Sequence, residues 1–284
     1  NKFEPSESAK IANIAGTIVV SKSGTATVSL KEINDFRNNK KSTKADSKIC
    51  NINSLIKLIG KWRKKGETIG IIGGTGSGKT SLINLIPRFY DKNRGSIRLA
   101  GKEISEYSLE SIRKNVAVVE QKSKLFRGSI RENLLWGNPD ANDDDLYNAA
   151  KIAQAIDVIN SKSDGLDAKV EMYGNNFSGG QKQRLSIARS LVKKAGILIL
   201  DDASSALDYS TDSKLREALK GIPGITIFIV SQRIVSIKNA DRIIVLDDGK
   251  IAGIGTHRDL LENNSIYKEI CTSQLSAQEG SNEE

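Results

Sequence analysis

Residues 73–80 restrict the possible folds of this chain more than any other stretch. Their sequence, GGTGSGKT, matches the pattern of glycine, four residues, then glycine, lysine, and serine or threonine. Residues 67–72 before them predict a short buried strand, and residues 81–86 after them predict the first turns of a helix. Such a turn exposes backbone N–H groups to an anion, and the helix end adds about half a positive charge. The sequence therefore predicts a phosphate-binding loop.

Two side chains of this loop are expected to act directly on the ligand. Lys79 would reach the outer phosphates of a nucleotide, and the Thr80 hydroxyl would coordinate Mg²⁺. A glycine-rich turn without a ligand is the alternative, but the lysine–threonine pair and both flanking segments argue against it. The predicted phosphate-binding residues are Gly73, Gly74, Thr75, Gly76, Ser77, Gly78, Lys79, Thr80 and Ser81.

The composition is that of an ordinary soluble globular protein. The 284 residues are 38% apolar and 27% charged, and the length allows one large domain or two small ones. The longest apolar runs, such as residues 225–230, are too short to span a bilayer, and no signal-peptide pattern opens the sequence. Cys50 and Cys271 lack metal-ligand spacing and fit a reducing compartment.

The formal charge of +9 comes from one end of the chain. Residues 1–66 hold 14 Lys/Arg and 5 Asp/Glu, whereas the other 218 residues hold 29 of each sign. The Lys-rich stretch 38–48 predicts a solvated surface loop. For the basic segment as a whole, a position near an anionic membrane surface is favoured, with contact to nucleic acid as the alternative.

Apolar runs of strand length alternate with helical patterns, which predicts an α/β fold with a mostly parallel sheet covered on both faces. Residues 122–194 contain no comparable strand and predict an inserted α-helical subdomain. Its signals include a Ser-x-x-Glu capping box at Ser129 and one amphipathic helix beginning at Asp143. The apolar stripe of that helix is interpreted as core: Leu146, Ala149, Ala153, Ile156 and Ile159.

The remaining boundaries follow from composition. Residues 1–17 are predicted to form a linker, and residues 18–272 the main domain, with a small antiparallel β part near its start. Residues 273–284 are predicted to form a disordered polar tail.

The apolar run 197–200 ends in Asp201. A carboxylate at the end of a distant strand is the expected Mg²⁺ partner of a phosphate loop, so Asp201 is predicted to hold the metal.

Residues 176–184, NFSGGQKQR, resemble the signature sequence of ATP-binding cassette (ABC) proteins. The order of the other motifs agrees with this: phosphate loop, Gln121, signature, Asp201, residues 205–208, and residues 231–233. The resemblance covers about residues 66–270. The sequence between the motifs is similar to that of ABC exporters. The resemblance implies a P-loop NTPase (RecA-like) core that binds ATP and Mg²⁺.

The resemblance also implies roles for particular residues. Ser178, Gly179, Gly180 and Gln181 would bind the γ-phosphate of an ATP held by a partner's phosphate loop, in a head-to-tail dimer. Asp208 would lie across that interface. Gln121 would touch Mg²⁺ and sense the membrane domain, and residues 170–174 would face the coupling elements of the transporter.

Two departures from the family pattern concern catalysis. The family usually has Glu, the base toward the attacking water, where this chain has Asp202, and a switch histidine where it has Gln232. An Asp-Gly turn signal predicts a hairpin over residues 242–253. The only histidine, His257, lies in a turn after that hairpin and is interpreted as a capping or surface residue. An Asp side chain is one methylene shorter, and near-attack geometry is sensitive to about 1 Å. The chain's own site is therefore expected to bind ATP and hydrolyse it slowly.

A third departure concerns adenine stacking, because no aromatic residue lies between Asn38 and Lys61. Phe36 is the candidate, with an ordinary strand-face phenylalanine as the alternative.

The expected function is that of an exporter's ATP-hydrolysing domain at the cytoplasmic face of the cell membrane. Its expected partners are a nucleotide-binding domain on a different chain and a transmembrane domain, with no nucleic acid. The alternatives are a soluble ABC ATPase that acts on nucleic acid or ribosomes, and a regulatory ATP binder without hydrolysis.

Overall fold

The computed structural model of the chain describes residues 66–279. Several predictions lie outside this range: the linker 1–17, the antiparallel β part, the loop 38–48, Phe36 and the last residues of the tail, 280–284. The described part therefore begins at the strand that leads into the phosphate loop.

Strands and helices alternate along most of the described chain. The strands are β1 (Thr68–Gly73), β2 (Arg98–Leu99), β3 (Lys102–Glu103), β4 (Val116–Val119), β5 (Gly128–Ser129), β6 (Lys169–Val170), β7 (Ile197–Asp201), β8 (Thr226–Val230), β9 (Arg242–Asp247) and β10 (Lys250–Gly255). The helices are α1 (Lys79–Asn84), α2 (Leu109–Asn115), α3 (Ile130–Leu135), α4 (Asp143–Ile152), α5 (Ile156–Asn160), α6 (Gly179–Val192), α7 (Tyr209–Lys220), α8 (Ile234–Ile237), α9 (His257–Asn263) and α10 (Ser265–Glu279).

Six strands form the central sheet in the order β10-β9-β1-β8-β7-β4. Every neighbouring pair is parallel except β9 and β10, which form an antiparallel hairpin. Asp201 at the end of β7 lies opposite Val230 at the end of β8. The carboxyl ends of β1, β8 and β7 thus meet at one edge, where open α/β sheets bind ligands. The predicted α/β class with a mostly parallel sheet is confirmed.

Apolar side chains cover both faces of the sheet because successive residues of a strand point to opposite sides. In β8, Ile227 and Ile229 pack into one buried cluster, and Phe228 and Val230 pack into another. The first cluster includes residues of α4, α6 and α7, and the second includes residues of α1 and α2. This burial explains why the strands are continuous apolar runs.

Between β4 and β7 the chain forms helices α3 to α6 and a two-residue antiparallel ladder of β5 with β6. Helix α6 packs against α3 and α4 and also against β4, so it joins this helical part to the sheet. Within residues 66–279, no helix combines the length and apolar character needed to cross a membrane.

The single amphipathic helix predicted from Asp143 onward is wrong, because the structure divides it into α4 and α5. Gln154 lies between them with a left-handed φ of 55°. Its N–H donates to Lys151 O at 3.2 Å, and the Ala155 N–H donates to Ala150 O at 2.7 Å. This is a Schellman ending without glycine. The break still leaves most of the apolar stripe in the core.

The disordered tail predicted from residue 273 is also wrong over residues 273–279, which continue helix α10. Composition predicted disorder because the segment is polar. The structure shows instead that Gln274 hydrogen-bonds to residues on another element, the backbone of Gln232 and Ile234. A polar side chain can stabilise a helix end through such a distant contact, which composition does not reveal.

The predicted capping box at Ser129 is confirmed. The Ser129 hydroxyl accepts the Glu132 N–H at 3.1 Å, and the Glu132 carboxylate accepts the Ser129 N–H at 2.8 Å. We expect Ser129→Ala to lower the free energy of unfolding by about 1 kcal/mol, since it leaves a helix N–H without its partner. Urea unfolding would measure this. The exposed Ser163→Ala variant is the control, with a change below about 0.5 kcal/mol, and an equal loss in both variants would contradict the capping role.

Candidate functional site

The phosphate loop leaves the carboxyl end of β1 and enters α1. Gly76 and Gly78 have left-handed φ values of 80° and 93°, which favour glycine. Gly73 is required for a different reason, because a Cβ there would lie 2.2 Å from Leu246 O and 2.6 Å from Ser77 Oγ. Gly74 and Gly76 face open space. Two of the glycines thus set the backbone path, one permits close packing, and the outer surface stays open to a ligand.

Lys79 is the first residue of α1, and its side chain turns back toward the phosphate loop. Its ammonium Nζ donates to the carbonyl oxygens of Gly73 and Gly74, both at 2.8 Å. Partial burial lowers the pKa of Lys79, and the negative charges of Asp202 and Asp201 oppose that shift. The structure therefore holds one cation at the base of the loop, facing two carboxylates.

Asp201 ends β7 next to the phosphate loop. The Thr80 hydroxyl donates to its carboxylate, at 3.0 Å to Oδ2 and 3.3 Å to Oδ1. Burial raises the pKa of Asp201, while the Thr80 hydrogen bond and the Lys79 charge lower it. Thr80 and Asp201, both predicted to hold Mg²⁺, are thus in direct contact although they are 121 residues apart in sequence.

Asp202 follows with a left-handed φ of 48°, a conformation that Asp adopts more readily than most residues. Its N–H donates to Val230 O at 2.9 Å, which fixes the turn against β8. Its carboxylate Oδ2 accepts a hydrogen bond from Gln121 Nε2 at 3.0 Å. Burial raises the pKa of Asp202, and the neighbouring Asp201 charge raises it further.

These donors fit Mg²⁺ bound to phosphate oxygens. Two half-buried carboxylates lie together, and both have raised pKa values because their negative charges are poorly solvated. A divalent cation would stabilise those charges. Mg²⁺ in nucleotide sites takes one or two carboxylates plus phosphate oxygens and water. No cluster of three or more His, Cys, Asp or Glu residues occurs in the described residues 66–279, so a cage built from protein ligands alone is not available there.

The residues enclose a cleft of about 290 Å³ at the carboxyl edge of the sheet. Gln232, two residues after the end of β8, is part of the cleft lining and is exposed. Larger hollows of about 360 and 440 Å³ lie elsewhere and contain none of the predicted site residues. The cleft is lined by Thr75, Gly76, Gly78, Lys79, Thr80, Ser81, Gln121, Asp201, Asp202, Val230, Ser231 and Gln232.

The signature segment lies at the N-terminus of α6. Ser178 and Gln181 form a reciprocal capping box: the Ser178 hydroxyl accepts the Gln181 N–H, and the Gln181 side chain accepts the Ser178 N–H at 3.0 Å. Ser178 and Gly179 are exposed, and a Cβ on Gly179 would meet nothing within 4 Å. None of these residues lines the cleft. The chain therefore presents an exposed helix N-terminus outside the cleft that holds its own phosphate loop.

Asp208 caps the next long helix, α7. Its carboxylate accepts the Thr211 N–H at 2.8 Å and the Thr211 hydroxyl at 2.7 Å, and these bonds lower the pKa of Asp208. A predicted role across a dimer interface would come in addition to this capping role. Phe36 lies outside the described residues.

No pattern in the sequence assigns a separate role to Arg233. Its guanidinium lies 5.6 Å from the centre of the exposed Tyr209 ring, and it donates to Ser205 O at 3.4 Å. It thereby joins the segment after β8 to the segment after β7. This role of Arg233 can be recognised only from the folded structure, where the two segments lie next to each other.

The comparisons with known proteins agree with this geometry. A family model described as ABC transporter matches residues 63–205. The ABC transporter ATP-binding protein YfiB of Bacillus subtilis is 43% identical over 218 residues, covering 77% of this chain and 38% of YfiB. The ATP-dependent lipid A-core flippase of Alkalilimnicola ehrlichii is 43% identical over 209 residues, covering 72% of this chain and 35% of the flippase.

The comparison with solved structures also finds an ABC exporter. A bacterial Atm1-family ABC exporter with ATP bound matches with a TM-score of 0.71 and 36% identity, over 74% of this chain and 37% of that chain. The chain spans less than two fifths of the length of the relatives described above. The family model itself covers just over half of this chain. The chain therefore belongs to the ABC transporter family and corresponds to the ATP-binding, ATPase portion of its exporters.

Proposed function

We propose that the chain powers export by ATP-dependent, head-to-tail association with a second nucleotide-binding domain. In this proposal the phosphate loop binds ATP, and the signature residues Ser178 to Gln181 bind the γ-phosphate of an ATP held by the partner. A transmembrane domain supplies the substrate path, which places the chain at the cytoplasmic face of the membrane. The basic residues 1–66 would then lie close to anionic lipid.

One observation carries this proposal: the cleft at the phosphate loop and the exposed N-terminus of the signature helix are separate surfaces of the chain. The cleft contains Lys79, Asp201 and the loop N–H groups, but none of the signature residues. The signature helix has an exposed N-terminus with an open glycine, Gly179. A helix N-terminus with free N–H groups favours an anion. A second domain, turned to face the first, would bring the two surfaces onto one nucleotide.

The cleft residues have separate tasks in this proposal. Lys79 donates to loop carbonyls 2.8 Å away and can donate to phosphate oxygens at the same place. Thr80, Asp201 and Gln121 would hold Mg²⁺, which would neutralise phosphate charge when bound. Asp202 and Gln232 would face the outer phosphate and the attacking water.

We further propose that the chain's own site hydrolyses ATP slowly and that the partner is a different chain. The Asp202 carboxylate is one methylene shorter than the usual Glu, and it already accepts the Gln121 amide at 3.0 Å. Gln232 carries no titratable ring to contact a γ-phosphate. The signature is nearly intact, with Phe177 where Leu is common. The chain can therefore complete a competent site on a partner that supplies Glu and His.

The experiment compares the unmodified chain with the double variant Asp202→Glu, Gln232→His. ATP affinity is measured by equilibrium titration with Mg²⁺, and turnover is measured at high protein concentration. We expect tight binding by both proteins and a gain in turnover of at least about tenfold in the double variant, because the longer carboxylate reaches the attacking water. Asp140→Glu, which adds the same methylene on an exposed loop, is the matched control.

Two outcomes would change the conclusion. Equal and rapid turnover in both proteins would mean that Asp202 already serves as the base, and a homodimeric ATPase would then be the better description. Tight binding without any turnover in either protein would favour the regulatory ATP binder.

A further inference from the structure

Gln274, on helix α10, is hydrogen-bonded to the segment that carries Gln232. Its side-chain Nε2 donates to the Gln232 carbonyl oxygen at 2.6 Å, and its Oε1 accepts the Ile234 N–H at 2.9 Å. The two bonded groups lie on either side of Arg233 and are 42 and 40 residues from Gln274 in sequence. The Gln274 side-chain amide therefore hydrogen-bonds to the backbone on both sides of Arg233.

The segment depends on this contact because it has no cap of its own. Helix α8 has four residues, begins at the buried Ile234, and lacks a side-chain hydrogen bond at its N-cap. The Ile234 N–H is one of the N-terminal donors that a helix leaves unpaired. Upstream, the Ser231 hydroxyl accepts the Arg233 N–H at 3.0 Å. Gln274 thus supplies the partner that neither α8 nor the residues before it provide.

Helix α10 is itself anchored near its start. The Tyr267 side chain is fully buried, and its hydroxyl lies 2.8 Å from His257 Nδ1 on α9. The Tyr267 N–H donates to Asn264 Oδ1 at 2.8 Å, and Asn264 Nδ2 donates to Ala252 O in β10 at 2.9 Å. These contacts fix α10 against the hairpin, so Gln274 is presented from a supported element.

We propose that Gln274 is a positioning residue for Gln232: it sets the backbone on both sides of Arg233 and thereby directs the Gln232 side chain toward the cleft. The inference rests on the proposed function, in which Gln232 faces the outer phosphate. It also assigns a role to helix α10, whose described side chains, residues 265–274, do not line the cleft.

The first test is amide hydrogen exchange in the 284-residue chain. Gln274→Leu removes both hydrogen bonds at similar size, and we expect the Ile234 N–H to exchange at least about tenfold faster. The Tyr267 N–H, which is bonded to Asn264, should exchange at an unchanged rate. Gln274→Glu keeps an acceptor for Ile234 but places a carboxylate beside the Gln232 carbonyl, so it should keep Ile234 protected. Glu269→Gln, exposed on the same helix, is the matched control.

The second test is turnover, measured in the unmodified chain and in the Asp202→Glu, Gln232→His variant. Adding Gln274→Leu or Gln274→Glu should lower kcat by about fivefold or more, because residue 232 is displaced, while ATP affinity stays within about twofold. Glu269→Gln should leave kcat unchanged. A merely structural role would lower the melting temperature and the ATP affinity together.

Unchanged Ile234 exchange in Gln274→Leu would overturn the proposal, as would faster exchange with unchanged kcat. Failure of the proposed function would give a different experimental result from failure of this inference. The parent chain would then not bind ATP, and the exchange experiment would still decide whether Gln274 holds the Gln232 segment.

Discussion

Replacing Lys79 with alanine is expected to weaken ATP binding by at least about 100-fold, because hydrogen bonds to charged groups contribute about 1.5–3 kcal/mol each. The Lys79 ammonium lies at the base of the loop, 2.8 Å from the Gly73 and Gly74 carbonyls. Its positive charge opposes the negative charges of Asp201 and Asp202 in the cleft. Without it, two poorly solvated carboxylates face the incoming phosphates, so repulsion adds to the lost hydrogen bonds.

Equilibrium titration with a fluorescent ATP analogue and Mg²⁺ would measure this change. Lys214→Ala, on the exposed face of α7, is the matched control for the loss of one positive charge and should leave affinity within about twofold. Thermal unfolding of both variants would show that the fold persists. An affinity within threefold of the parent in Lys79→Ala would contradict the assignment of the phosphate loop.

The second large effect concerns the signature segment. Gly179→Asp should weaken ATP-dependent association of nucleotide-binding domains by at least about 100-fold, because it places a negative charge where a partner's γ-phosphate is proposed to bind. The new side chain has space, since a Cβ at Gly179 meets nothing within 4 Å. An acidic residue in the first turn of α6 also favours the helix by about 0.3–1 kcal/mol. The variant should therefore be folded but defective in association.

Sedimentation of the chain with Mg²⁺ and ATP, compared with Mg²⁺ and ADP, would test this. Each copy carries both a phosphate loop and a signature segment, so at high protein concentration two copies can stand in for the chain and its partner. The unmodified chain should then self-associate only with ATP, Gly179→Ala should retain most of that association, and Gly179→Asp should lose it. Binding of ATP to the chain's own cleft should stay within about twofold in all three proteins, because residue 179 does not line that cleft. Equal association of all three proteins would argue against a head-to-tail arrangement.

Local sequence signals predicted much of this protein correctly because their causes are local. The phosphate loop follows from its glycines, of which Gly76 and Gly78 have left-handed φ and lie two residues apart. The predicted capping box at Ser129 joins two residues three positions apart. The hairpin of β9 and β10 turns at Asp248 and Gly249, both with positive φ. The pairing of Thr80 with Asp201, 121 residues apart, agrees with the prediction that a phosphate loop takes its metal partner from a carboxylate at the end of a distant strand.

The tertiary structure decided the features that depend on distant partners. Gln154 adopts a left-handed conformation and ends α4, although no glycine marks the position. Helix α10 continues past residue 273, where Gln274 bonds to the backbone around Arg233, 40 and 42 residues earlier. The separation of the signature helix from the cleft is likewise a property of the folded chain. Composition and periodicity describe a residue's neighbours along the chain, whereas these features depend on groups that only folding brings into contact.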